Sequence, residues 1–145
     1  QAPMRLAGTL VAVNICYEDA FGREIAPQAA EAGLLVNMSN MAWYGESFAA
    51  DQHAQFSQMR ALENGRWMLR ATNTGLTAAI DERGAIVRQL PQFTRGVLEV
   101  EVQPRQGVTP YTRFADLPAL LLMLLSPAGA FALGVIDRSR AKPGA

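Results

Sequence analysis

A run of twenty residues without a charged side chain, residues 117–136, most constrains what this chain can fold into. Apolar helical residues at ~1.5 Å each span the roughly 30 Å hydrocarbon core of a bilayer in about 20 residues. Ser126 is the only polar side chain in the run, so the polar stripe of an amphipathic surface helix is missing. The run therefore predicts a transmembrane helix over residues 116–137, with a buried core helix as the alternative.

A short basic tail, residues 138–145, follows the run and predicts how the helix is oriented. It carries Arg138, Arg140 and Lys142, and the positive-inside rule places such a tail in the cytoplasm. Residues 1–115 would then lie on the opposite side, which in a bacterium is the periplasm. The chain starts with Gln1-Ala2-Pro3, which is neither an initiating methionine nor the charged start of a signal peptide, so we expect further segments upstream.

Composition disfavours several classes of protein. Thirteen basic and thirteen acidic side chains cancel, and without a basic excess or a basic run no nucleic-acid partner is expected. Half of the residues are hydrophobic and only 18% are charged, which disfavours a disordered chain. Cys16 is the only cysteine, so neither a disulfide framework nor a multi-cysteine metal site can form within the chain.

Short apolar segments separated by turn residues predict an α/β domain with a mixed sheet. The predicted strands are residues 10–15, 34–38, 67–72, 76–80, 86–90 and 97–102, and the predicted helices are residues 22–32 and 50–64. Pro27 is expected to kink the first helix or to delay its start. The second helix is predicted to end at Gly65 and to bury one apolar face. That face comprises Ala49, His53, Phe56, Met59 and Leu62.

Cys16 follows the first predicted strand and is the candidate nucleophile. α/β folds place nucleophiles where a strand ends and a helix begins, because the side chain is exposed there while the backbone is held. The reactive form is the thiolate, and the neighbouring Glu18 and Asp19 would by themselves oppose it. A nucleophilic role therefore requires a Lys, Arg or His from elsewhere. The alternative is a small, buried, apolar cysteine.

His53 is the only histidine and allows two interpretations. It could form a nucleophilic dyad with Cys16, but its place on the apolar face of the predicted helix favours a packed, hydrogen-bonded side chain. One histidine and one cysteine make a metal site improbable. Arg60, Arg66 and Arg70 are explained by ordinary surface or buried ion pairs.

A polar and aromatic loop follows the second predicted strand. It contains Asn40, Trp43, Tyr44 and Gly45, and aromatic side chains on a loop at the end of a strand can line a pocket. The alternative is that the two aromatic rings only close the edge of the core.

Five motifs follow one another along the chain. They are Asn-Ile-Cys-Tyr-Glu-Asp at 14–19, Val-Asn-Met-Ser-Asn-Met-Ala-Trp-Tyr-Gly at 36–45, Met-Arg-Ala-Leu-Glu at 59–63, Leu-Arg-Ala-Thr-Asn-Thr-Gly at 69–75 and Gly-Val-Thr-Pro-Tyr at 107–111. In this order they resemble the apolipoprotein N-acyltransferases of the nitrilase, or carbon-nitrogen hydrolase, superfamily. The resemblance runs from about Val11 to the end of the chain. It implies the C-terminal half of a nitrilase-type α-β-β-α sandwich over residues 1–115, followed by one transmembrane helix and a cytoplasmic tail.

The resemblance implies an enzyme of the bacterial inner membrane that needs no cofactor and whose catalytic domain is periplasmic. Such enzymes move an acyl chain from a phospholipid to the N-terminal amine of a diacylglyceryl-cysteine lipoprotein, through a thioester and with a Glu–Lys–Cys triad. Cys16 corresponds to the nucleophile. Tyr17 and Glu18 correspond to neighbours that shape the site, and the Tyr17 N–H would help to hold the oxyanion. Asn40, Trp43, Tyr44 and Gly45 are the expected substrate-binding residues, with Trp43 near the point where lipid enters.

The sequence departs from the family pattern at a few places. Met41 stands where an aspartate is common, Tyr44 where a phenylalanine is common, and Thr74 where a second asparagine is common. The resemblance implies that the glutamate and lysine of the triad come from the first half of the domain, upstream of Gln1. Lys142 is the only lysine, and it lies beyond the predicted membrane span, so it does not fill that role. Two alternatives follow: a truncated, non-catalytic fragment bound to the membrane, or a soluble nitrilase-type amidase.

Overall fold

A six-stranded mixed sheet organises the residues that the structure describes. The structure is a computed structural model that describes residues 2–126, and these divide after Ala115 into two units. The strands are β1 (Met4–Leu6), β2 (Thr9–Ile15), β3 (Leu34–Ser39), β4 (Trp67–Thr72), β5 (Ala78–Ile80) and β6 (Ile86–Gln89). The helices are α1 (Gly22–Glu31), α2 (Ala49–Asn64) and α3 (Pro110–Phe114), with 3-10 turns at Cys16–Ala20 and Ala42–Tyr44.

The strands follow one another in the sheet in chain order, from β1 to β6. β2, β3 and β4 are parallel and are connected through α1 and α2, whereas the remaining pairs are antiparallel. The predicted mixed α/β fold is therefore confirmed. Because the three parallel strands end together, with Ile15 opposite Met38 and Met38 opposite Ala71, the residues that follow them meet at one edge of the sheet.

Two strands differ from the prediction. β1 was not predicted; it forms a hairpin with β2 through Ala7 and Gly8, both at positive φ. The predicted strand over residues 97–102 is wrong, because the segment pairs with no strand of the described residues. Its alternation is real, since Leu98 and Val100 are half-buried while Glu99 is exposed. Alternation in a sequence indicates which face is covered, but it does not supply a neighbouring strand.

α1 begins at Gly22, so the delayed start expected from Pro27 is wrong. Pro27 lies inside the helix on its exposed side. A proline there removes only the hydrogen bond to the carbonyl four residues earlier, which belongs to the solvent-exposed Arg23.

α2 ends at Gly65 as predicted, with that glycine in the left-handed conformation. The predicted apolar face is confirmed at His53, which is buried, and is wrong at its C-terminal end. Met59 and Leu62 are 47% and 52% exposed. The helix lies over polar side chains of β3 and β4, so its inner face consists of small and hydrogen-bonding residues. The buried residues are Ala50, His53, Ala54, Ser57, Arg60, Ala61 and Asn64.

The hydrophobic core lies between the two long helices and one face of the sheet. Ala12, Leu35 and Met68 point into it from β2, β3 and β4, where they occupy neighbouring register positions. The opposite face of the sheet is also apolar, but the described residues leave it partly open. Ile15 and Met38 on that face are 43% and 46% exposed.

The second unit begins at Asp116 and is helical over residues 117–126. Its leucines, such as Leu122 and Leu124, are exposed. No helix within residues 2–126 is both long and apolar enough to cross a bilayer. Of the predicted span over residues 116–137 and the predicted tail over residues 138–145, everything from residue 127 onward lies outside the described residues.

Candidate active site

Cys16 occupies a strained position at the edge where the parallel strands end. It is the first residue after β2 and has φ +52°, a left-handed conformation that a residue with a side chain adopts at a cost of about 1–3 kcal/mol. Half-buried, it lines a cavity of about 220 Å³. The other lining residues are Tyr17, Met41, Tyr44, Ala49, Gln52, His53 and Phe56.

Side chains from three elements hold the backbone around Cys16. Its carbonyl oxygen accepts hydrogen bonds from Asn37 Nδ2 of β3 at 2.9 Å and from His53 Nε2 of α2 at 3.1 Å. The Glu18 carboxylate accepts from the N–H of Ile15 at 2.6 Å and so caps the 3-10 turn. Arg60 of α2 donates to the carbonyls of Asp19 and of the residue after it. The strained turn is therefore held from both sides.

A buried polar network lies beneath the turn and is centred on Asp19. The Asp19 carboxylate is fully buried and accepts from His53 Nε2 at 2.9 Å, from Ser57 Oγ at 2.5 Å and from Arg70 Nη1 at 3.3 Å. Arg70 is also fully buried at its side chain. Because a lone buried charge is strongly destabilising, the carboxylate and the guanidinium each depend on the other.

Arg70 is the buried cation of this network. Burial lowers the pKa of its guanidinium, and its electrostatic interactions with Asp19 and Cys16 oppose that shift. The ion pairs expected for Arg60 and Arg70 are present, to Glu63 and to Asp19. Arg66 instead donates to backbone carbonyls, among them that of Ala32 at 2.7 Å.

The residues expected to form the site are only partly brought together. Tyr17 and Tyr44 share the cavity with Cys16, and the Tyr17 ring packs edge-on against Phe56 at 6.0 Å between centroids. Glu18 is engaged with the backbone of the turn.

The remaining loop residues do not line the Cys16 cavity. Asn40 accepts from the N–H of Ala42 and from Asn73 Nδ2, so it ties its loop to the end of β4. Trp43 is 83% exposed, and Gly45 follows it with φ +54°. Within this loop, Trp43 is therefore exposed to solvent, whereas Tyr44 lines the cavity.

Two groups of site residues were not predicted from the sequence. Met41, Gln52 and Phe56 line the cavity, although none of them was predicted to be a site residue. Arg70 was treated as an ordinary ion-pairing residue, yet the alternation of β4 places it on the same face as the buried Met68. That alternation was the available signal. Among residues 2–126, no group of three or more His, Cys, Asp or Glu side chains is placed to hold a metal ion.

Solved structures share this fold at low sequence identity. An amidase from Nesterenkonia sp. superposes with a TM-score of 0.54 at 20% identity, over 66% of this chain and 39% of the amidase. A carbon-nitrogen hydrolase from Helicobacter pylori G27 gives a TM-score of 0.54 at 11% identity, over 61% of this chain and 39% of that chain. At these identities the likeness shows the nitrilase-type fold.

Two curated relatives are much closer in sequence. The apolipoprotein N-acyltransferase of Nitrosomonas europaea is 57% identical over 133 residues, which cover 91% of this chain and 27% of that protein. The apolipoprotein N-acyltransferase of Chromobacterium violaceum is 54% identical over 121 residues, or 83% of this chain and 23% of that protein. The resemblance inferred from the motifs is confirmed, and the chain spans about a quarter of the length of these relatives.

The family assignment follows from the extent of the match. The carbon-nitrogen hydrolase family matches residues 2–111, a segment that contains the whole sheet, α1, α2 and the turn that carries Cys16. The chain belongs to the carbon-nitrogen hydrolase family.

Proposed function

We propose that this chain is the nucleophile-bearing part of an apolipoprotein N-acyltransferase. The observation that carries the proposal is the strained Cys16, held at a sheet edge beside a buried arginine and open to a cavity. Identity of 57% and 54% to enzymes of that name supports the choice of acyl transfer over amide hydrolysis. Methionine, alanine and aromatic side chains line much of the cavity, which suits an apolar ligand such as an acyl chain.

In the first step, the Cys16 thiolate attacks the ester carbonyl carbon of a phospholipid. The carbon–sulfur bond forms, a tetrahedral oxyanion develops, and the backbone N–H of Tyr17 helps to hold it. The carbon–oxygen bond to the glycerol then breaks, and the departing lysophospholipid oxygen takes the proton that the thiol gave up. The acyl chain remains on Cys16 as a thioester.

In the second step, the free amine of a diacylglyceryl-cysteine attacks the thioester carbonyl. The carbon–nitrogen bond forms, the carbon–sulfur bond breaks, and one amine proton passes through a general base to the departing thiolate. The products are an N-acylated lipoprotein and the regenerated Cys16 thiol. Tyr17, Glu18, Asn40, Trp43, Tyr44 and Gly45 are proposed to shape the site and bind the two substrates.

Residues 1–115 contain no lysine, so the oxyanion-stabilising cation of the triad has no counterpart there. We propose that a glutamate and a lysine from the part of the relatives that this chain does not match complete the site. The open apolar face of the sheet supports this, because a second sheet packed on it would form the α-β-β-α sandwich. Residues 1–115 would then be part of the catalytic domain.

The proposed location is the bacterial inner membrane, with the catalytic domain in the periplasm. Its support is the uncharged run from residue 117 to residue 136 and the basic tail that follows. In this arrangement residues 116–137 span the membrane and residues 138–145 lie in the cytoplasm. The acyl donor then lies in the same membrane as the enzyme.

The proposal is tested by an assay of acyl transfer. The protein used is the complete gene product, that is, the whole protein encoded by the gene that carries this sequence. The assay follows conversion of a diacylated lipopeptide to its triacylated form in phospholipid vesicles. We expect turnover by the unmodified protein and none above background by Cys16→Ser, because serine lacks the thiolate. Turnover by Cys16→Ser, or its absence in a folded unmodified protein, contradicts the proposal. Turnover by residues 1–145 alone contradicts the need for an outside glutamate and lysine.

A further inference from the structure

The hydrogen bonds around His53 determine which of its ring nitrogens carries the proton. Arg70 Nη2 lies 2.7 Å from His53 Nδ1. A guanidinium group can donate hydrogen bonds but cannot accept them. Nδ1 must therefore be the acceptor, and in the neutral ring the proton lies on Nε2.

The other side of the ring leads to the same assignment. Nε2 lies 3.1 Å from the carbonyl oxygen of Cys16 and 2.9 Å from Asp19 Oδ1, and both of these oxygens act as acceptors. A proton on Nδ1 would direct N–H at the guanidinium and a lone pair at the two oxygens. The contact of Nδ1 with Met41 Sδ at 3.0 Å requires no proton, because the sulfur is only a weak acceptor.

Arg70 fixes both groups that hold the Cys16 carbonyl. Besides His53, it donates from Nη1 to Asn37 Oδ1 at 3.2 Å and to Ser57 Oγ at 2.8 Å. With its oxygen engaged, the Asn37 amide must turn its NH₂ group toward the Cys16 carbonyl, 2.9 Å away. Two donors, each oriented by the same buried guanidinium, thus converge on one backbone oxygen.

We propose that His53 is a positioning residue for Cys16: a neutral Nε2–H donor, set by Arg70 and Asp19, that holds the Cys16 carbonyl and with it the left-handed backbone. His53 therefore does not act as the general base, since its Nε2 carries a proton and faces a carbonyl. The inference rests on the proposed function only in taking Cys16 as the nucleophile.

The tautomer is tested without any assay of activity. The complete gene product is labelled with ¹⁵N-histidine, and the spectrum of the His53→Gln variant identifies the signals of residue 53 by their loss. The ¹⁵N chemical shifts distinguish a protonated from an unprotonated ring nitrogen. We expect a protonated Nε2 and an unprotonated Nδ1 at neutral pH. A proton on Nδ1, alone or together with Nε2, overturns the inference.

The positioning role is tested with two variants of His53. His53→Phe keeps a ring but removes the donor, so we expect kcat for acyl transfer to fall about 10²-fold with KM little changed, the size of effect known for misplaced reacting groups. His53→Gln restores an N–H donor. We therefore expect its kcat to be at least about tenfold higher than that of His53→Phe, because the donor again orients the Cys16 backbone. Gln55→Ala, on the exposed side of α2, is the control and should match the unmodified protein.

The outcomes separate this inference from the proposed function. If the unmodified protein transfers no acyl group, the proposed function fails, while the ¹⁵N spectrum still decides the tautomer. Suppose instead that the unmodified protein transfers the acyl group, that His53→Gln is shown to be folded by its melting temperature, and that its kcat is as low as that of His53→Phe. A hydrogen-bond donor at residue 53 is then not what Cys16 requires, and the positioning role is wrong. An unchanged kcat in His53→Phe overturns it equally.

Discussion

Cys16 has a backbone conformation that its own side chain disfavours, so the surrounding residues must hold it there. The contacts come from Asn37 and His53 on its carbonyl and from Glu18 on the preceding N–H. Asn37 and His53 are in turn held by Arg70, whose buried partner is Asp19. At the scale of single residues, the contacts on the Cys16 carbonyl therefore depend on the buried pair of Asp19 and Arg70.

We predict that Asp19→Asn destabilises the chain by about 3–5 kcal/mol, because it leaves the buried Arg70 without its carboxylate. Glu82→Gln is the matched control, since Glu82 pairs with Arg105 near the surface and such pairs contribute less than about 1 kcal/mol. Urea denaturation followed by tryptophan fluorescence gives both free energies of unfolding. Equal losses in the two variants would show that the buried pair has no special role.

Cys16 could be predicted from the sequence because a cysteine directly after an apolar strand has a recognisable local pattern. The pair Asp19–Arg70 could not, because its members are 51 residues apart and meet only through the register of three parallel strands. The position of Arg70 on the buried face of β4 was readable from alternation. Its pairing with Asp19 could not be read from the sequence, because alternation indicates which face of a strand a residue lies on but not which residue it contacts.

At the scale of elements, α2 shows why apolar periodicity misidentified part of its buried face. Its apolar residues Met59 and Leu62 are about half exposed, whereas Ser57 and Arg60 are buried. The helix covers the buried polar groups of the sheet, and buried polar groups need hydrogen-bond partners. Helix length and its end at Gly65 were predictable, because they depend on local signals.

We predict that Ala61→Leu destabilises the chain by about 1–3 kcal/mol, because Ala61 is fully buried against the core and added methyl groups overpack it. The predicted apolar face did not include this residue. Gln55→Leu introduces the same side chain on the exposed side of α2 and should change the free energy of unfolding by less than about 0.5 kcal/mol. Thermal unfolding of both variants checks the prediction, and a reversed order would place the buried face elsewhere.

The hairpin between β5 and β6 packs its turn closely against α2, and two glycines test this contact. Gly84 has φ +79°, and a Cβ there would lie 2.8 Å from the Gln58 carbonyl oxygen. Gly8 has φ +83°, and a Cβ there would meet nothing within 4 Å. Both Gly→Ala changes incur the cost of positive φ, but only the one at Gly84 also overpacks a neighbour. We therefore expect Gly84→Ala to lower the free energy of unfolding by at least about 1 kcal/mol more than Gly8→Ala. Equal unfolding free energies would contradict the close contact.

At the scale of the whole molecule, the described residues cover one face of the sheet and leave the other partly open. A half-exposed apolar sheet face normally packs on a partner layer. The proposed partner is a second sheet from the part of the relatives that this chain does not match. The sequence could predict the mixed α/β class from the order of its elements, but it could not show which face stays open.

We predict that Met38→Lys impairs the complete gene product, because the proposed second sheet would bury the new charge. Met59→Lys is the matched control. Met38, on the open sheet face, is 46% exposed, and Met59, on α2, is 47% exposed. We expect acyl transfer to be lost in the first variant and kept in the second. Equal activities would mean that nothing covers the sheet face.

Formation of a thioester on Cys16 tests the assignment of this chain most directly. The complete gene product is incubated with a phospholipid carrying an isotope-labelled acyl chain, without lipoprotein acceptor, and is digested for mass spectrometry. The account predicts the labelled acyl mass on the peptide that contains Cys16, its release by a diacylated lipopeptide, and its absence in Cys16→Ser. Acyl transfer with no label on that peptide, or label that persists in Cys16→Ser, would contradict it.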